Sequence, residues 1–295
     1  MQLTLFDRLE VIKTINKEYN LEKNAYISFS GGKDSTVLHH LIDIALPDNN
    51  IPRVFINTGI EYTEISKFVK EMAANDKRII IINSNVNIVK MLETKGYPFK
   101  SKEHSNKWQM WKKGSQAKSV IKYINSNNSF ACPKSLLYQF KKDSDFKLNI
   151  SDNCCKELKK NPIKKWQSEN NRTITLTGMR KSEGGQRTTL NCVVYDKERK
   201  LLKFHPLSVL DNQFIEWFIK EHNIKLCSLY YEPFNFIRTG CLGCPFALNL
   251  QEQLETLEKL LPNERKRCEM IWSKVYKEYR KRNYRLKTVE QLKLF

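Results

Sequence analysis

No apolar run in the 295 residues approaches the roughly 20 that a membrane-crossing helix needs. The amino-terminal Met1-Gln2-Leu3-Thr4-Leu5-Phe6-Asp7 has neither a basic n-region nor a signal-like apolar stretch, which points to the cytosol and to no membrane partner. No internal repeat is apparent. Histidine is scarce, and the five present (39, 40, 104, 205 and 222) do not cluster with the cysteines in sequence, so none is assigned to catalysis. Acidic residues are in deficit, 32 against 51 Lys and Arg, a net charge of +19. In a reducing compartment the eight cysteines do not read as a disulfide framework and more readily include a metal or cluster site.

A chain of this length buries a substantial core as one large α/β domain or two smaller ones. The charge excess is segregated. Residues 95–165 carry 17 Lys against 5 acids, and residues 259–287 carry 11 Lys and Arg against 3. The remainder is close to neutral. Such segregation suggests a polyanionic partner, either nucleic acid or a protein–nucleic acid assembly. Solvated helix faces in a Lys-rich sequence are the competing explanation.

The chemistry concentrates at Ser28-Phe29-Ser30-Gly31-Gly32-Lys33-Asp34-Ser35-Thr36. The apolar run Ala25 to Phe29 reads as a buried strand and Val37 to Leu46 as a helix, so the turn falls where strand becomes helix. N–H groups at a helix start, with the dipole behind them, form an anion site. Gly31 and Gly32 allow close approach of the backbone. Lys33 adds a point charge, and Ser30, Ser35 and Thr36 offer hydroxyl donors. The four-residue spacer between the glycines of a Walker loop is missing.

Strands are expected at 52–57, 78–82 and 173–177, with helices at 5–20, 61–74 and 88–95 between and before them. This alternation predicts a doubly wound, mostly parallel α/β sheet with ligands at the carboxyl ends of its strands. Thr58-Gly59, ending the second strand, is then placed to help hold a nucleotide, or is an ordinary turn. From 96 to 165 strand signals vanish; short helical stretches near 104–112, 117–126 and 134–141, with Trp108, Trp111 and Tyr123, predict a basic helical insertion. After the strand at 173–177, Gly178-Met179-Arg180 and Arg187 form a second candidate phosphate clamp, because guanidinium binds phosphate bidentately. Cys192–Tyr195 and Leu201–Phe204 flank a polar tract as a hairpin does, and Asp211 is an expected N-cap. Residues 262–287 read as a helix with Cys268, Trp272, Val275, Tyr276 and Tyr279 on one side. The expected division is a nucleotide-binding domain at 1–247 and a basic helical extension at 248–295.

Cys241-x-x-Cys244 alone suits zinc, a redox pair or an iron–sulfur cluster. Cys154 and Cys155 lie 86 residues before Cys241. Together they supply the four thiolates of a [4Fe–4S] cluster, whereas adjacent ligands are awkward for a zinc knuckle.

The order of SGGKDS, Thr58-Gly59, Cys154-Cys155, Gly178-x-Arg180 to Arg187, His205-Pro206-Leu207 and Gly240-Cys241-x-x-Cys244 resembles the phosphoadenosine phosphosulfate (PAPS) and adenylylsulfate (APS) reductase family, over residues 24 to 247. The loop itself resembles that of the ATP pyrophosphatases. The resemblance implies an adenine nucleotide alpha-hydrolase-like fold, an adenylyl nucleotide gripped by its pyrophosphate with Mg²⁺, and a [4Fe–4S] cluster near it on Cys154, Cys155, Cys241 and Cys244. Lys33, Asp34, Arg180 and Arg187 are the implied catalytic group; Ser28, Ser30 to Thr36, Thr58, Gly59 and Gly178 are the implied nucleotide contacts. His205 matches a position that reads as structural.

Two departures shape the expected reaction. The tail, Val289 to Phe295, lacks the Glu-Cys-Gly nucleophile of the reductases, and Cys268 reads as core. The loop is complete where the reductases tend to carry a degraded one, which fits relatives that cleave ATP to AMP and pyrophosphate. In this it resembles the DNA phosphorothioation enzymes. Three functions follow as expectations: an ATP-dependent sulfur-transfer or nucleic-acid-modifying enzyme served by a sulfur donor protein, a reductase with a non-standard nucleophile, or a nucleotide-binding accessory subunit of a nucleic-acid-targeting complex.

Overall fold

A computed structural model describes residues 1–128 and 130–287. The reading of the tail from Val289 to Phe295 lies outside the described residues. The chain forms two compact units, each built from two stretches: Met1–Ser84 with Asn161–Gly240, and Asn85–Lys160 with the chain from Cys241 onward. Most of the expected insertion therefore shares a unit with the expected extension and with Cys241-x-x-Cys244. No helix among the described residues is long and apolar enough to cross a membrane.

The first unit is built on six strands: β1 (Ala25–Phe29), β2 (Arg53–Asn57), β3 (Ile79–Asn83), β4 (Ile174–Leu176), β5 (Val193–Tyr195) and β6 (Leu201–Phe204). Their order is β3-β2-β1-β4-β6-β5. Every pair is parallel except the β5–β6 edge hairpin. This is the expected mostly parallel α/β sheet. Strands covered on both faces read as near-continuous apolar runs, and β1 buries all of its residues but Ser28. The helix Lys33–Ala45 lays Val37, Leu38, Leu41 and Ile42 on the sheet, where they join Leu207, Phe214 and Phe218 in the core. Asp211 caps the helix Asn212–Glu221, its carboxylate accepting from the Phe214 N–H.

At the start of β2 lies a residue the strand pattern conceals. Arg53 is fully buried, and its guanidinium donates to Asn49, Asp43 and His39 Nδ1. Asp43 also receives Arg78. An imidazole that accepts from a guanidinium must stay neutral. Burial, aided by Arg53, pushes the His39 pKa down to about 4. Burial likewise brings His205 and His104 to about 4.

The unfolded chain takes up these three protons near pH 6.5 and the folded chain only near 4, so stability is complete above 6.5 and is lost as pH falls toward 4. The expected loss is on the order of 3 kcal/mol each for His39 and His104, the more deeply enclosed rings, and smaller for His205. Melting temperatures measured from pH 7.5 downward should therefore fall through that window, and a flat profile would contradict the burial of these rings in neutral form.

The second unit is helical, with Ile88–Lys95, Lys102–Lys112, Lys118–Asn125, Leu250–Leu260 and Pro262–Lys281 as its main elements. Only an isolated bridge between Tyr97 and Ile150 represents β-structure among its described residues. Aromatic packing organises it: Phe99 contacts Tyr279, Phe146 and His104, and Trp108 contacts Phe146. Cys268, Trp272, Val275, Tyr276 and Tyr279, the expected apolar face of the long helix, are all fully buried.

Candidate nucleotide site and cysteine group

The turn after β1 is held by its own hydroxyls. The Ser30 N–H donates to Ser35 Oγ, and the Ser35 and Thr36 hydroxyls both donate to the Gly32 carbonyl (2.9 and 3.1 Å). The helix accordingly begins at Lys33, four residues before the expected Val37. Gly31 has φ +68°, and a Cβ there would stand 2.7 Å from Val69 Cγ2, so both conformation and space require glycine. Thr36 is fully buried.

The sheet order reverses between β1 and β4, and ligands in such sheets bind outside the strand ends at that point. A cavity of about 340 Å³ lies there. Ser28, Ser30 and Gly32 to Ser35 line it from the β1 side, and Thr177, Gly178 and Met179 from the β4 side. Gly178 serves this approach directly, since a Cβ would meet the Asp34 carbonyl oxygen at 2.7 Å.

Arg180 is placed differently from the expected clamp. Only 4% exposed, it donates from Nε to Asp34 Oδ1 (2.9 Å) and from Nη1 to Ser182 Oγ (2.8 Å). It braces Asp34 from within the protein and is not among the cavity's lining residues. Burial raises the Asp34 carboxyl above its ordinary range, and Arg180 opposes the rise. Thr58 is also turned inward, its N–H and hydroxyl both donating to the Glu61 carboxylate (2.9 and 2.7 Å). Neither it nor Gly59 lines the cavity.

Arg187 does line the cavity, beside residues that sequence reasoning missed: Glu183, Tyr230, Arg238 and Thr239. Glu183, with its side chain 7% exposed, pairs with both Arg187 and Arg238, and also accepts the Arg180 N–H. One carboxylate thus aims two guanidiniums at the cavity. The Tyr230 hydroxyl accepts the Lys33 N–H (3.0 Å) and bonds Thr239 Oγ1 (2.7 Å), so a polar oxygen occupies the helix start where an anion's oxygen can also sit. The carboxylate half of a capping box, Glu183 accepting the Arg180 N–H three residues before it, was a usable signal. Arg238-Thr239 directly before Gly240-Cys241 was another. Nothing in sequence marked Tyr230.

In the second unit Cys154 and Cys155 lie in the short helix Asn153–Cys155, followed by the π-helical turn Lys156–Lys160. Cys241 and Cys244 sit in a turn closed by the Cys244 N–H on the Cys241 carbonyl. The long helix clamps this turn: Trp272 Nε1 donates to the Leu242 carbonyl, and the Tyr276 and Tyr279 hydroxyls to those of Gly243 and Pro245. Gly243 has φ +58° and its Cα faces Cys268 so closely that a Cβ would come within 2.6 Å of the sulfur.

The two cysteine pairs share one neighbourhood. Cys155 foremost, then burial, Cys241 and Cys244, raise Cys154. Cys154, with Lys102, Lys159 and Lys160, pulls Cys155 down to about 6. Burial, with Cys241 and Cys155, pushes Cys244 up to about 12. All eight cysteines are free thiols. Among the described residues no three His, Cys, Asp or Glu side chains are grouped to hold a single metal ion. A four-iron cluster makes a different demand, one thiolate to each iron, and the donor set of four cysteines beside three lysines suits its negative charge.

A family model described as phosphoadenosine phosphosulfate reductase domain matches residues 24–132 and 125–247. Uncharacterized protein MJ0973 of Methanocaldococcus jannaschii is 33% identical over 103 residues, 32% of this chain and 25% of that protein. The match therefore spans a quarter of the archaeal relative's length. Among solved structures, PAPS reductase from Candida auris in a phosphate complex aligns over 74% of this chain and 81% of its own, at 16% identity and TM-score 0.43. FMN adenylyltransferase from Candida glabrata aligns over 81% of this chain and 62% of its own, at 13% identity and TM-score 0.46. NH3-dependent NAD synthetase from Campylobacter jejuni aligns over 93% and 94%, at 13% identity and TM-score 0.42.

Proposed function

The chain belongs to the phosphoadenosine phosphosulfate reductase domain family, and on that footing we propose that it binds an adenylyl nucleotide, ATP, and cleaves it between the α and β phosphates. The observation that carries this reading is the meeting, in one cavity, of a complete SGGKDS turn with two guanidiniums fixed by Glu183. The helix start and Ser30 hold the pyrophosphate portion, and Lys33 stabilises the charge that develops on it as it leaves. Asp34, steadied by Arg180, would help hold Mg²⁺, which would offset phosphate charge, as this ion is usually held by one or two carboxylates plus substrate. Arg187 and Arg238 bear on phosphate from the other wall. An acceptor oxygen attacks the α-phosphorus, the bond to the bridging oxygen breaks, and pyrophosphate departs with that electron pair.

Cys154, Cys155, Cys241 and Cys244 would hold a [4Fe–4S] cluster, which supplies electron-transfer or sulfur chemistry when bound. Lys102, Lys159 and Lys160 offset its negative charge. For sulfur transfer, a hydrosulfide-level sulfur from a donor protein would bond to the acceptor atom that carries the adenylylated oxygen, the bond to that oxygen breaking and AMP leaving with its electron pair. Protein purified without oxygen should be brown and carry about four irons per chain. Cys155→Ser and Cys241→Ser should each lose the colour, and a colourless, zinc-containing sample would overturn the assignment.

The reductase alternative needs a reactive thiol. Cys268 is fully buried, and burial pushes its pKa up to about 12, the reverse of what a nucleophile needs. Incubation with ATP, PAPS and APS separates the readings. Pyrophosphate from ATP is the expected product. Sulfite from PAPS or APS with thioredoxin, and no pyrophosphate from ATP, would overturn the proposal.

A further inference from the structure

The second unit carries most of the molecule's charge: 28 Lys and Arg against 13 Asp and Glu, whereas the first has 23 against 19. It also contains a cavity of about 190 Å³ that the nucleotide reading does not use. This is smaller than the roughly 300–1,000 Å³ of pockets that enclose a whole drug-sized ligand. The helices Lys102–Lys112 and Lys118–Asn125 flank it, contributing Glu103 and Lys107 from one and Lys122 and Tyr123 from the other. Phe130 forms its rim and is 78% exposed.

Single exposed apolar side chains are common and need no explanation. Phe130 differs in its setting. Its N–H donates to Asn128 Oδ1 (3.0 Å), and two residues on, the Cys132 N–H donates to the Tyr123 carbonyl (2.8 Å). Tyr123 is itself fixed by His104 Nδ1 and by Lys100, which donates to its hydroxyl. The ring is thus presented from an anchored backbone, at a cavity bearing two lysines, in the more strongly basic unit.

We propose that this cavity seats a base of a single-stranded nucleic acid, stacked on Phe130, with Lys107 and Lys122 on the flanking phosphates. A flat aromatic surface beside cations is how strand-tracking proteins bind without reading sequence. A duplex hides the faces of its bases, so the ring favours a single strand. An acidic peptide would satisfy the lysines but leave Phe130 without a partner. The inference is independent of the nucleotide assignment, since it uses none of the same residues.

The test is fluorescence anisotropy of the full chain with labelled oligo-dT and oligo-rU of about 20 bases, and with a duplex of the same length. Single-strand binding should weaken steeply between about 50 and 200 mM salt. Phe130→Ala should weaken it by about 5- to 150-fold, and Phe130→Trp should retain it. Lys107→Gln with Lys122→Gln should lower the slope of log affinity against log salt by roughly 0.7 for each phosphate no longer neutralised. Because Phe130 is exposed, Phe130→Ala should melt as the unsubstituted chain does, which keeps folding out of the comparison. Equal affinity for Phe130→Ala, no preference for single strand over duplex, or displacement by polyglutamate as effective as by oligonucleotide would each overturn the proposal.

Discussion

Replacing Lys33 with Met should reduce pyrophosphate release from ATP by about 10²- to 10³-fold, the loss seen when one pre-aimed donor to a developing charge is removed. The side chain lines the cavity at the first residue of the helix, where the backbone already favours negative charge. Ground-state affinity should fall much less, because Ser30, the helix start and the two arginines remain. Kinetically this means a drop in kcat with KM nearly unchanged. Arg187 and Arg238 supply the contrast, since each bears on the phosphates from the far wall and each keeps its pairing with Glu183 when the other is removed. A Lys33→Met enzyme with unchanged kcat would remove lysine from the mechanism.

Arg180→Met should act first on stability. Its guanidinium is buried against Asp34, whose side chain is 25% exposed, so removing it strands a partly buried carboxylate. Breaking such a pair costs about 3 kcal/mol, at the lower end of the range for fully buried pairs because Asp34 retains some solvent. For a unit of this size the melting temperature should fall by roughly 6–12 °C. The double variant Asp34→Asn with Arg180→Met should recover part of that loss, the two residues being one interaction. Surviving Arg180→Met protein should also need more Mg²⁺, with Asp34 no longer braced. An unshifted melting temperature together with an unchanged Mg²⁺ requirement would restore Arg180 to a surface role.

The scaffold is largely visible in the residues because covered strands need apolar runs and exposed helices need a one-sided pattern. β1 is found over the expected Ala25 to Phe29, and the long helix from Pro262 buries the five side chains that its periodicity picks out. The helix after the phosphate turn starts earlier than its apolar pattern indicates because Lys33 to Thr36 carry no apolar periodicity, although polar residues are natural to a first turn. Arg53 is hidden for a related reason: a strand pattern does not reveal that Asp43 and Asn49 will surround an arginine.

At the site, residue type identifies the chemistry but not the direction in which each group points. Arg180 and Arg187 look equivalent in sequence, yet one braces a carboxylate and the other faces the cavity. Tyr230 meets Lys33 across 197 positions and Arg238 meets Glu183 across 55, pairings that only the folded sheet brings about. The hydroxyls that hold the Cys241 to Pro245 turn are equally long-range. What the helix pattern shows is that Tyr276 and Tyr279 are buried, and burial then obliges their hydroxyls to find partners.

The claim on which the rest depends is that the cavity after β1 reads the phosphates of an adenylyl nucleotide. Calorimetric titration with ATP, AMP, adenosine and GTP, each with Mg²⁺, tests it directly. One ATP should bind per chain, with affinity falling from ATP to AMP to adenosine, and removing Arg187 and Arg238 together should narrow the gap between ATP and AMP. Equal affinity for ATP and adenosine, or for ATP and GTP, would contradict it.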